Sequence, residues 1–168
     1  MLNSLRNYTV AALVFSSAAV SAHEPTVAST PMPVTVQDIA PAAAEAVKVV
    51  DAFADAIKGA RIADAGKLLD EKALILESGD SERSRDEYLD HHAIADAAFM
   101  QGAKSQLRYR QAGAEGNMAW VGSESTLETK KDDKPVVIMS TETMVLRKGP
   151  AGWRIVHIHW SSHPAGKD

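Results

Sequence analysis

The sequence predicts an α+β domain in which helices come first and an antiparallel sheet follows. Three observations predict it. Between Pro41 and Met100 apolar residues recur at spacings of three and four, the period of a half-buried helix. From Lys104 onward the period changes to two, in four runs joined by short connections. The last run, Trp153 to Ser162, is β-branched and aromatic and follows the turn sequence Gly149-Pro150-Ala151-Gly152.

With 45% hydrophobic and 24% charged residues over 168 positions, the chain is long enough for one domain with its own core. A formal net charge of -4, with acids and bases interspersed, argues against a nucleic-acid partner. There is no cysteine, so no disulfide contributes and stability rests on the core.

Residues 1–22 read as a cleaved signal peptide: Arg6 without an acid near the start, an apolar stretch from Tyr8 to Val20, and small residues at Val20-Ser21-Ala22. That stretch is short for a membrane anchor and is interrupted by Ser16 and Ser17. A periplasmic or secreted protein, with no membrane contact after cleavage, is expected. Cleavage after Ala22 would expose His23, whose amine and imidazole together can chelate copper. Residues 23–40, with Pro25, Pro31 and Pro33, read as a disordered or extended linker. The folded domain is expected over 41–163, with 164–168 as a frayed tail.

The first helix is expected to start with Asp38 as a cap and Pro41 in its first turn, and to stop at Gly59. Val47, Val50, Ala54 and Ile57 form its apolar stripe with Phe53 at the margin, and Lys48, Asp51, Asp55 and Lys58 point outward. A short helix near Ile62 to Leu69 precedes a strand, Ala73 to Glu77, ended by Ser78-Gly79-Asp80. Ser84 and Glu87 make a capping box that starts a helix running to about Met100. Its stripe is Tyr88, His92, Ala95 and Phe99, which turns His92 inward, whereas His91 lies toward the edge. The four strands follow at Ser105–Ala112, Met118–Thr129, Val136–Leu146 and Trp153–Ser161. Short connections make them an antiparallel meander.

Strict alternation in the last strand places Ile155, His157, His159 and Ser161 on one face and Val156, Ile158 and Trp160 on the other. Two histidines that share a strand face need polar partners if they are buried. Glu142, which interrupts the apolar face of Ile138, Met144 and Leu146, supplies one. If Lys148 pairs with Trp153, Glu142 opposes His159 and Met144 opposes His157; a slip of one residue separates them. Glu77, at the end of the first strand, is a second carboxylate in apolar company.

The order helix, short helix, strand, helix and four-stranded meander, closing on Gly-Trp-Arg-Ile-Val-His-Ile-His-Trp-Ser-Ser, resembles the SnoaL-like branch of the nuclear-transport-factor-2-like superfamily. The final segment is also similar to the end of the association domain of calcium/calmodulin-dependent kinase II. The resemblance spans about Ala42 to Ser162. It implies a cone-shaped roll, a curved antiparallel sheet wrapped around N-terminal helices with a pocket at its open end, usually as a homodimer. Members of that superfamily include isomerases, cyclases and dehydratases as well as proteins that only bind or assemble.

Three functions fit these residues. The first is an isomerase, cyclase or dehydratase in which His157, His159 or His92 acts as acid or base, oriented by Glu142, with Tyr88 donating to a developing enolate. Glu77, His91, Trp120 and Phe99 would contact its small-molecule ligand. The second is a zinc or copper site on His92, His157 and His159, although no cofactor is required by the first. The third is a non-catalytic ligand-binding or assembly module. In each, the homodimer is expected to form through the sheet face that carries Val156, Ile158 and Trp160.

Overall fold

The computed structural model describes residues 35–166. The expected signal peptide, His23 and most of the expected linker lie outside the described residues.

The seven strands of the described residues form one sheet, in the order β1-β4-β5-β6-β7-β2-β3. Its centre is the expected meander: β4 (Lys104–Glu115), β5 (Met118–Lys131), β6 (Lys134–Gly149) and β7 (Gly152–Pro164), each antiparallel to the next. The β5–β6 hairpin turns through Asp132 and Asp133, at φ 52° and 60°. Positive φ at both central residues matches the right-handed twist of the strands.

Both edges depart from a purely antiparallel sheet. On one side β2 (Leu69–Glu77) runs parallel to β7 and turns back into the short β3 (Asp80–Glu82). On the other side β1 (Val36–Ile39) runs parallel to β4. This corrects the end of the expected linker. Thr35 Oγ1 donates to the Leu107 carbonyl at 2.8 Å, and Asp38 accepts from Gln111 Nε2 at 2.9 Å instead of capping a helix. Pairing β1 covers backbone groups that β4 would otherwise present as an open edge.

The helices pack on one face of this curved, unclosed sheet. After a 3-10 turn at Pro41–Ala43 comes α1 (Ala44–Lys58), then α2 (Ile62–Leu68), α3 (Arg85–Asp90) and α4 (His92–Gly102). In α1 the buried residues are Ala46, Val47, Val50, Phe53, Ala56 and Ile57, so Phe53 is central and Ala54 is exposed. The Ser84 Oγ accepts from the Glu87 N–H at 3.1 Å, as expected, but Glu87 reaches back to the N–H of Arg83, at 2.8 Å. The single helix expected from Ser84 to Met100 breaks at His91, where φ and ψ are -130° and -77°. The break moves the buried positions by one residue: Tyr88 is followed by Ala93 and Ala97. The expected stripe therefore fails beyond Tyr88, and Ala95 and Phe99 are exposed.

A second one-residue shift lies in β7. Lys148 pairs with Trp153 as expected and Leu146 with Ile155, but Val145 pairs with His157, leaving Val156 in a bulge. Beyond it Met144 opposes Ile158 and Glu142 opposes Trp160. Ile158 is fully buried and Trp160 stacks on Phe53 at 6.5 Å. The face expected to carry the dimer contact is thus the one that packs on the helices, and His157 and His159 point away from them.

Read across the strands, the inner face is built in rows. One row, Ala112, Val121, Met144, Ile158 and Ile75, is apolar and at most 3% exposed. Burial of the larger side chains in it, Val121, Met144, Ile158 and Ile75, stabilises the fold by roughly 1.5–3 kcal/mol each. The row beside it is Arg110, Ser123, Glu142, Trp160 and Glu77. Polar groups line up there next to the core.

Candidate functional site

The polar row is faced by residues from three helices. From α1, Asp51 Oδ1 accepts from Arg110 Nη1 at 2.5 Å, and the Arg110 Nε–H donates to Ser123 Oγ at 3.2 Å. From α3, the Tyr88 hydroxyl donates to Asp96 Oδ2 of α4 at 2.9 Å. Phe53, Tyr88 and Trp160 pack on one another with ring centroids 6.1 to 6.5 Å apart. The Trp160 Nε1–H donates to Glu142 Oε2 at 2.8 Å, joining the aromatic group to the row.

Three carboxylates surround this arrangement, and each is held above its ordinary titration range. Burial is the main cause for all three. For Glu142 it outweighs the opposing effects of Trp160, Arg110 and Ser123. For Asp96 it outweighs the Tyr88 hydrogen bond and the nearby His92. For Glu77 it is reinforced by the charge of Asp96. The Tyr88 hydroxyl is pushed far upward by burial and by Asp96, with smaller contributions from Glu77 and Glu142. It stays protonated, and its one proton is directed at Asp96.

The structure brings together Tyr88, Glu142 and Glu77 of the expected site, keeps His92 at its rim and separates His157 and His159 from it. His157 and His159 are on the outer face with rings 6.5 Å apart, and the His157 Nδ1–H donates to the Leu74 carbonyl at 2.8 Å. The bulge at Val156 is the physical reason, because it exchanges the faces of every later residue. His92 sits at the rim, where its Nδ1 contacts Glu82 of β3. His91 is exposed at the helix break. The three histidines expected to share a metal do not meet, and among the described residues no three His, Cys, Asp or Glu side chains gather as a metal site. Phe99 is 41% exposed on α4. Trp120 is also on the outer face, in a shallow hollow of about 200 Å³ with Tyr109, Gln111 and Thr141.

Asp96, Arg110, Asp51, Ser123 and Trp160 are the site residues that alternation and the helical stripe did not find. Asp96 carried a signal: it is the one acid in the apolar segment Ala93-Ile94-Ala95-Asp96-Ala97-Ala98-Phe99, eight positions after Tyr88. In an unbroken helix eight residues would set the two about 12 Å apart along the axis, so it is the break at His91 that lets their side chains meet.

Residues 47–166 match the family model described as the SnoaL-like domain. Among solved structures, a candidate ketosteroid isomerase from Shewanella frigidimarina NCIMB 400 is 32% identical, with a TM-score of 0.67, over 74% of this chain and 99% of that one. A nuclear-transport-factor-2-like protein with a cystatin-like fold from Novosphingobium aromaticivorans is 17% identical, with a TM-score of 0.60, over 74% and 82%. The S. rosetta calcium/calmodulin-dependent kinase II hub is 21% identical, with a TM-score of 0.61, over 74% and 98%. Among curated proteins, none matches the chain. With the family model covering most of the chain and the expected α+β roll in place, the chain belongs to the SnoaL-like family.

Proposed function

We propose that this SnoaL-like protein binds a small carbonyl compound at the inner polar row and transfers a proton on it, with carboxylates in place of the histidines as acid and base. The observation that carries this reading is the set of three carboxylates with raised pKa around the Tyr88 hydroxyl. Glu77 and Asp96 oppose each other's ionisation, so one of them keeps a proton more readily. A carboxylic acid held neutral can donate a hydrogen bond to a developing enolate oxygen, and Asp96, when protonated, can donate to the Tyr88 oxygen and so free the phenol proton for the same enolate. Glu142 is oriented by Trp160 and lies near Arg110, which favours its charged form, so it is assigned as the base. The rings of Phe53, Tyr88 and Trp160 supply an apolar wall for the body of the substrate.

The likeness to a candidate ketosteroid isomerase selects the first substrate to try, a cyclic β,γ-unsaturated ketone whose conjugated product is followed by ultraviolet absorbance. Glu142→Gln should lower kcat by about 10²–10⁴, the range of one general base, with KM little changed. Isomerisation at an undiminished rate in that variant would overturn the assignment.

The outer face supports a second reading, a homodimer, which can coexist with the first. Along β6 its outward positions Val137, Met139, Thr141, Thr143 and Val145 carry no charge, and Trp120 and Met118 of β5 are 44% and 40% exposed beside them. Glu124 and Glu128 of β5 flank this strip beside Thr141 and Val137, and a partly apolar strip edged by charge suits a second copy of the chain. Sedimentation should give a dimer that Trp120→Glu dissociates, and a monomer at tens of micromolar wild-type chain would end the reading. Export remains a further part of the proposal, and a soluble cytoplasmic product retaining Met1 in the native host would refute it.

A further inference from the structure

We infer that a groove between the start of β2 and the β6–β7 hairpin is a second binding site, for a small phosphate-bearing molecule. It is separate from the carbonyl site. Arg147 lies five residues along β6 from Glu142, about 16 Å at the rise of a strand.

The groove has a volume of about 560 Å³, within the range of small-molecule sites. Its charged lining is Lys67, Lys72, Arg85, Arg147 and Arg154 against Asp70 and Glu71, with Lys67 paired to Asp64 and Arg85 to Asp86 beside it, so the excess cations are on the β2 and β6–β7 side. In a protein with a net charge of -4, that concentration of cations is local.

Register gives the more telling observation. Arg147 and Arg154 are directly opposite each other in the β6–β7 ladder. Like charges in that position repel and destabilise the pair of strands. Asp70 Oδ2 accepts from Arg147 Nη2 at 2.8 Å and relieves one of them. Its other oxygen accepts the Lys72 N–H at 3.1 Å, inside the irregular stretch between Leu69 and Leu74 where β2 leaves its register with β7. Asp70 is therefore a positioning residue that is already engaged. Among the described residues, Arg154 and Lys72 form no salt bridge.

A repulsive pair of guanidinium groups is a cost to the empty protein and an asset once an anion lies between them. Two planar forks rooted about 5 Å apart can each offer paired N–H donors to one tetrahedral dianion. Lys72 adds a point charge at the side. Phosphate suits this set better than a single carboxylate, which has two oxygens and one charge.

The test uses the full chain and inorganic pyrophosphate as probe, with sodium chloride at matched ionic strength as control. Titration should saturate, shift the Nε–H resonances of Arg147 and Arg154, and raise the melting temperature more than chloride does. Arg154→Gln should weaken binding about tenfold, the worth of one charge-assisted contact. The same variant without anion should melt higher than wild type, because the repulsion is gone; an arginine with a merely structural role would melt lower when replaced. Equal thermal shifts with chloride, unchanged affinity in Arg154→Gln, or a lower melting temperature of that variant without anion would each overturn the inference. Lys72→Gln, which leaves the arginine pair intact, is the second variant, and unchanged pyrophosphate affinity there also overturns the site. Neither result bears on Glu142 or on ketone turnover, so the two proposals fail separately.

Discussion

In the first half of β7, Trp153 and Ile155 turn toward the helices and Arg154 turns away; in the second half, Ile158 and Trp160 turn inward and His157 and His159 turn away. The inward residues are odd-numbered before Val156 and even-numbered after it. A single extra residue separates two segments that each alternate faithfully. The consequence for chemistry is large, because it puts an indole and a carboxylate inside where two imidazoles and a carboxylate were expected. The difference teaches that strand alternation is a local rule, and that its phase has to be established again after any bulge.

The largest effect should come from deletions that separate the two halves. Removing Val156 leaves Trp153, Ile155, Ile158 and Trp160 on one face of a straight strand, so the variant should fold and keep the Trp160 hydrogen bond to Glu142. Removing His159 pushes Trp160 to the outer face while Ile158 stays inward, and should abolish cooperative unfolding. Near-ultraviolet circular dichroism with thermal melts would compare the pair. Loss of the fold on deleting Val156 would mean that the bend of the bulge, and not only its phase, is needed to curve the sheet.

That phase change was partly legible. Ile155 and Val156 are adjacent β-branched residues in a strand that otherwise alternates, and the apolar set Trp153, Ile155, Ile158, Trp160 fits only if one position is skipped. The same kind of shift occurs at His91, where Tyr88 is followed inward by Ala93 instead of His92. Elements and their order follow from periodicity, which tolerates such a slip because each side of it keeps the right period. The facing of a particular histidine does not. The edge strand Val36–Ile39 was hidden for another reason: its four residues include Gln37 and Asp38, and three of its positions are exposed. Its pairing is carried by backbone groups, which side-chain pattern does not record.

At the next level, one inward and one outward side chain of the same segment can be compared by truncation. Ile158→Ala removes a fully buried side chain between Met144 and Ile75 and should cost about 2–5 kcal/mol. Denaturant unfolding measures it. A loss below about 1 kcal/mol would mean that the inner row is not packed as described.

The carboxylates sharpen the contrast through pH. Glu142, Asp96 and Glu77 have folded pKa values above the ordinary ones, so between the unfolded and folded values the folded state binds more protons. Stability contributed by these groups is full below the unfolded pKa, near 4, and is lost as pH rises through the folded pKa. Glu142→Gln retains an oxygen for the Trp160 N–H and cannot ionise. It should therefore raise the melting temperature at pH 7 and flatten the fall above pH 4, by less than Ile158→Ala lowers it. A profile with the wild-type slope would show that Glu142 titrates normally.

The smallest effect belongs to the two outward histidines, and it tests whether the outer face carries any structural role of its own. His157 donates Nδ1–H to the Leu74 carbonyl, across the register where β2 rejoins β7, while His159 has its neighbour's ring at 6.5 Å and is exposed. A carbonyl only accepts, so the hydrogen bond fixes the His157 proton on Nδ1 and leaves Nε2 free. His157→Ala should cost about 0.5–1.5 kcal/mol, the net worth of one such bond. His159→Ala should change stability by less than about 0.5 kcal/mol, as exposed substitutions do. If both changed stability by as much as Ile158→Ala, the outer face would be covered in solution, and the dimer would then be part of the fold; repeating both measurements at tenfold lower protein concentration separates that case, since only a dimer loses stability on dilution.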